Sequence, residues 1–144
     1  MGNISRSFSF SEFTKSDVAK RYHIINEITT WEVRDNIVAL VENILQPLRD
    51  AWGQPLFINS GYRCPELNSH SAIGGSKTSQ HVTGQAADVA SSNPYELAKL
   101  AKRLNLPYDQ CIVYPTFTHF SYRADGKNRG QVLYSAKYKG ERDI

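Results

Sequence analysis

The stretch "SQHVTGQAADV", Ser79–Val89, sets a histidine and an aspartate seven residues apart around a glycine. In a strand, side chains six or eight apart share a face and side chains seven apart do not. His81 and Asp88 therefore meet only if the chain turns between them. Gly84 permits such a turn, because it has no Cβ to oppose a left-handed backbone. Asp88 then enters "QAADVA", a run of small residues that reads as a short buried strand. An imidazole and a carboxylate brought to one point are a suitable pair of zinc ligands. A third donor stands in "TFTHFSYR", where strand alternation puts His119 on one face with Phe117 and Ser121, and Thr118 and Phe120 on the other. Two imidazoles and one carboxylate leave a tetrahedral zinc one position for water, the layout of a catalytic site rather than a closed structural one. By spacing alone, the same residues also read as a satisfied strand histidine and a turn aspartate.

The rest of the chain suits one domain, residues 1–144, with one core. Hydrophobic residues make up 40% and aromatic residues 11%, enough to fold without disulfide staples. Cys64 and Cys111 match neither a disulfide framework nor a CxxC site and read as small buried residues. No apolar run approaches the ~18–20 residues of a membrane span, so no membrane insertion is expected. The opening "MGNISRSFSF" has no apolar core of a secretory signal, and Arg6 breaks the myristoylation pattern. Synthesis in the cytoplasm is the expectation. The net charge of +3 is mild, and the basic residues of the last segment, "YRADGKNRGQVLYSAKYKGERDI", read as a solvated end. With no recognised motif beside that low charge, a nucleic-acid reader is disfavoured.

Helical signals come first. "FSFSEFTKSDVAKRYHI" reads as an extended lead and a short helix capped by Thr14 or Ser16. "ITTWEVRDNIVALVENILQPLRDAWG" is the main helix, with Thr29 and Glu32 as a capping box. Val33, Ile37, Leu40, Val41, Ile44 and Leu48 form its apolar face. Pro47 is expected to bend it or start its last turn, and Gly53 to end it. "PLFINSGYR" is a strand candidate, and "CPELNSHSAIGGSKTSQH" a short helix plus a Gly/Ser-rich loop. "NPYELAKLAKRLNLP" is a second helix capped by Asn93 with Pro94 at its first position. "DQCIVYP", "FTHFSYR" and "GQVLYSAKY" follow as strands. Helices before strands predict an α+β fold with helices packed on a largely antiparallel sheet.

"SQHVTGQAADV" also matches the SxHxxGxAxD signature of the zinc D-Ala-D-Ala carboxypeptidases and related peptidoglycan endopeptidases, through Ser79, His81, Gly84, Ala86 and Asp88. The chain resembles small phage-type members of that family at "INSGYRCPELN" and "PYELAKLAKRLNLPYDQCIVYPTFTHFSYR", and the similarity runs from about residue 8 to 134. The resemblance implies the hedgehog/D-Ala-D-Ala-peptidase fold, a Zn2+ cofactor, and His81, Asp88 and His119 as its ligands. It implies that Arg63 lies near the substrate and the polarised carbonyl, and that Ser79 and, more weakly, Gln80 touch substrate. Arg63 also reads as a turn-closing arginine, and Ser79 as a loop-stabilising serine.

One family feature is missing. Much of the family carries an acid three residues before the last ligand, and here that position is Thr116. Asp109 and Glu66 are the substitutes considered for the general base. His70 and His23 are read as having no chemical role. The resemblance implies a zinc metallopeptidase acting on D-Ala-containing peptidoglycan stems or crosslinks, as carboxypeptidase or endopeptidase. A monomeric lysin released to the cell wall by a partner pore is the expected setting. The alternative is a zinc-containing module that binds peptidoglycan without turnover.

Overall fold

The computed structural model describes residues 2–144; Met1, the first residue of the opening segment and of the 1–144 boundary, lies outside the described residues. Among the described residues, six α-helices and five strands follow one another, helices mostly first. The N-terminal segment makes two short helices, α1 (Phe10–Thr14) and α2 (Asp17–Arg21). The stretch read as an extended lead is thus partly helical, because Glu12 reaches back to the Ser9 amide at 2.7 Å. Ser16 caps α2 by accepting from the Ala19 amide. The main helix is α3 (Trp31–Leu40), a π turn (Val41–Leu45) and α4 (Gln46–Trp52). Its cap is Thr30, which accepts from the Val33 amide, and not Thr29. Thr30 supplies the same hydroxyl one residue later, at the position whose extended backbone leads into the first turn. Pro47 sits in the first turn of α4, and the wider π turn before it accommodates the missing N–H. Gly53 ends α4 with φ +75°.

The sheet is β1 (Phe57–Ser60), β2 (Ala86–Ala90), β4 (Thr118–Ser121), β3 (Gln110–Val113) and β5 (Gln131–Tyr134), in that spatial order. All pairs are antiparallel except β3 with β5. α5 (Pro65–Ser69) follows β1, and α6 (Pro94–Arg103), capped by Asn93 at the Glu96 amide, joins β2 to β3. One face of the sheet carries Ala87, Val89, Cys111, Val113 and Phe120 into a core shared with Ile37, Leu40, Ile44, Leu48 and Leu97. Alternation turns Asp88, His119 and Ile112 to the opposite face, on one rung across three strands.

Gly84 fastens the Ser79–Val89 stretch to α3. Its φ is +78°, and a Cβ there would sit 2.7 Å from the Val33 carbonyl oxygen. Both the backbone and the space therefore require glycine. Gly84→Ala is expected to cost roughly 2 kcal/mol or more, lowering Tm by several degrees. A thermal melt indistinguishable from wild type would contradict this close approach.

Candidate metal centre

His81 is held from both sides. Its amide donates to Ser79 Oγ at 3.2 Å, and Gln85 N donates to Gln80 O at 2.9 Å across the turn. Asn36 of α3 donates to the Thr83 carbonyl at 2.9 Å. The imidazole is 3% exposed, and its Nδ1 lies 2.7 Å from the Gly61 carbonyl oxygen. A carbonyl only accepts, so Nδ1 carries the proton and Nε2 keeps its lone pair for a metal. Gly61 itself has no room for a side chain, because a Cβ would meet the Phe13 backbone at 2.7 Å.

Asp88 and His119 are register partners on β2 and β4. Asp88 Oδ1 lies 2.8 Å from His119 Nδ1 and 3.4 Å from His81 Nε2. The three donor atoms lie within 4.8 Å of one another. Zinc bonds of ~2.0–2.1 Å at tetrahedral angles place donors ~3.3 Å apart, so this set fits the ion. The Gly61 carbonyl that accepts from Nδ1 supports the same conclusion, since ligating histidines normally donate their other N–H to such a group. Burial alone would raise the Asp88 carboxyl. Its contacts with the His119 and His81 rings outweigh burial and hold Asp88 well below the usual carboxylate range, as an anion suited to a metal.

The peptidase M15 family model matches residues 6–121. The chain belongs to the peptidase M15 family. No curated protein matches it. The matched residues include His81, Asp88 and His119, and M15 membership supports a zinc metallopeptidase.

Around the triad, this M15 chain distributes the other candidates unevenly. Arg63 lies close enough to Asp88 and Tyr114 for their charges to act on it. Burial draws its pKa down, while those neighbours favour the cation. Its Nε is buried without a protein partner among the described residues. The Arg63 amide donates to the His81 carbonyl at 3.1 Å, tying the "SGYR" segment to the metal loop. Ser79 and Gln80 line a groove of about 430 Å³ that also includes His119. Glu66 is exposed in the first turn of α5. Thr116 is exposed in the β3–β4 turn. His70 accepts from the Ala72 amide and packs against Tyr22, and His23 sits at a left-handed turn with φ 56°.

Asp109 has a different employment from the base considered for it. It is fully buried, with Oδ1 accepting from Arg129 N and Nε and Oδ2 accepting from Arg129 Nη2 and Gln80 Nε2, all at 2.9 Å. The Arg129 hydrogen bonds lower its pKa to about 2 against the opposing effect of burial. A carboxylate so occupied and so weakly basic is poorly suited to take a proton from water.

Three residues of this region escaped the sequence reading. Asn26 is buried and donates to the Thr14 and Tyr62 carbonyls while accepting from the Cys64 amide, bracing the segment that carries Arg63. Nothing in its local pattern marks it, because its partners lie up to 38 residues away. Tyr114 lies in range of Asp88 and Arg63. Burial raises its phenol, so it stays protonated. Strand alternation from Ile112 would have placed it on the His119 face. Arg129 is the third, and only its pairing with Asp109 reveals it.

His81→Ala, Asp88→Ala and His119→Ala are each expected to lose the bound equivalent of zinc, read by metal analysis of purified protein. Full zinc in His119→Ala would remove it from the ligand set. Asp109 gives a pH prediction. Its folded pKa lies below the unfolded value of 3.8, so its stabilisation is complete above about pH 4 and disappears as pH falls toward 2. Urea midpoints measured across that window should fall more steeply for wild type than for Asp109→Asn; parallel curves would show that the pair does not couple to folding.

Proposed function

We propose that this M15 protein is a zinc-dependent peptidase that cleaves bacterial cell-wall peptides at or beside D-alanine. The observation that carries this reading is the convergence of His81, Asp88 and His119 at the edge of an open groove, rather than inside a closed four-ligand cage. Zinc bound by these residues supplies Lewis acidity and a water with a pKa near 7. Gly61 holds His81 in the tautomer that binding needs. Arg63 offers a cation beside the triad to neutralise charge developing on the carbonyl oxygen of the attacked peptide. Ser79 and Gln80 offer polar contacts along the groove. With Asp109 committed to Arg129, Glu66 is the better candidate for the base, because its carboxylate is exposed. A monomer released to the wall as a lysin is the setting that fits the resemblance to small phage-type members.

The second reading, a zinc-containing module that binds wall peptides without turnover, is favoured by Thr116 at the position where an acid is common and by the engagement of Asp109.

The two separate in a digest of purified peptidoglycan by zinc-loaded protein, with and without chelator, read by mass spectrometry of released muropeptides. Chelator-sensitive loss of D-Ala or of crosslinked dimers is the expected result, and it names the bond. No cleavage across several wall types would leave the binding module. In the active case, Arg63→Ala should keep zinc and lose about 10²–10³ in turnover. Unchanged turnover would return Arg63 to closing a turn.

A further inference from the structure

Arg129 lies on the lead into β5, beyond the residues matched to the M15 family. It lines the groove that contains His119, yet its orientation is set from behind by a buried carboxylate. Asp109 is 0% exposed and the Arg129 side chain 50% exposed. Nε and Nη2 are spent on the two oxygens of Asp109. A guanidinium has five N–H donors in a rigid plane. One edge is used here, and the Nη1–Nη2 end keeps three N–H groups without a protein partner among the described residues. That end has the geometry of a second fork, able to take a carboxylate through two parallel hydrogen bonds.

Gln80 strengthens this arrangement. Its amide nitrogen donates to the same Asp109 oxygen that Arg129 Nη2 uses. The neighbour of metal-binding His81 and the groove arginine therefore share one anchor. Gly130 N donates to the Tyr108 carbonyl and Gln131 N to the Asp109 carbonyl, so the backbone that follows the arginine is also held. An unrestrained surface arginine would lose side-chain freedom on gripping a ligand. Here much of that ordering is already complete before binding.

We propose that Arg129, positioned by Asp109, is the anion anchor of the groove and selects peptides that bear a free carboxylate near the bond presented to the metal centre. This rests on the reading of the groove as a peptide site. The carboxylate is either the C-terminal group of the peptide or an acidic side chain within it, and the same fork accepts both.

The test is calorimetric binding of synthetic stem peptides to zinc-loaded protein, so that affinity is read whether or not the peptide is cleaved. Three peptides are compared: one with both carboxylates free, one with the C-terminal carboxylate amidated, and one with the D-Glu carboxylate amidated. Wild type should bind the free acid at least 10-fold more tightly than one of the two amides, and that amide identifies the carboxylate recognised. Arg129→Gln should remove the preference while leaving zinc content and affinity for that amide unchanged. Arg129→Lys keeps a cation opposite Asp109 and so protects the fold, but an ammonium cannot serve two carboxylates as a planar fork. Its preference should fall several-fold.

No preference in wild type, no peptide binding, or a preference retained by the folded variants would overturn the proposal. A purely structural role for the ion pair would weaken binding of all three peptides alike. Arg129-dependent binding with no cleavage supports the anchor and counts against the peptidase. Cleavage with no such dependence counts against the anchor alone.

Discussion

The candidate metal centre depends on one rung of the sheet, the pairing of Asp88 on β2 with His119 on β4. Strand side chains alternate, so a slip of one residue would turn one partner into the core and expose an apolar neighbour. The opposite face prevents that slip. Ala87, Val89 and Phe120 are buried against the helices, and any other register would remove one set of them from the core. Two donor groups from residues 31 apart are thus aligned by the apolar side chains between them rather than by their own attraction. The same packing keeps Ile112 beside His119 on the open face.

His81 arrives by a different route. It lies on a turn rather than a strand, and a turn alone would leave an imidazole free to wander. Gly84 removes that freedom by bringing the turn against the Val33 carbonyl, closer than any side chain would allow. Gly61 then accepts from Nδ1, and Asn26 and Phe13 hold the Gly61–Cys64 segment in place. Two glycines at close backbone contacts, each backed by a helix, orient the third candidate ligand. This preparation reduces the ordering required when a metal binds.

Electrostatics and burial give different surroundings to the three acids that the sequence singles out, Asp88 as a candidate ligand and Asp109 and Glu66 as candidate bases. Asp88 lies against two imidazoles and is held anionic, as a metal ligand would need to be. Asp109 faces Arg129 and Gln80, which lower its proton affinity and turn it into a structural acceptor. Glu66 remains exposed on a helix turn. The bidentate geometry at Asp109 satisfies a carboxylate that would otherwise be costly to bury. It also links β3, the β5 lead and the metal loop through one carboxylate.

The local sequence determined the elements that carry their own signals. Asn93–Pro94 starts α6, Gly53 ends α4, and alternation around His119 assigns its face. The SxHxxGxAxD pattern named two of the three candidate donors, His81 and Asp88, and the later strand histidine supplied the third, because a motif records which residue types the turn and strand require. Local signals were weaker where two adjacent threonines competed for one cap, and where Pro47 was absorbed by a π turn. Tertiary structure alone decided the partners of Asp109 and the bracing by Asn26. Those contacts join residues 12 to 38 positions apart, and their hydrogen bonds arise from side chains meeting in space rather than from any periodicity along the chain.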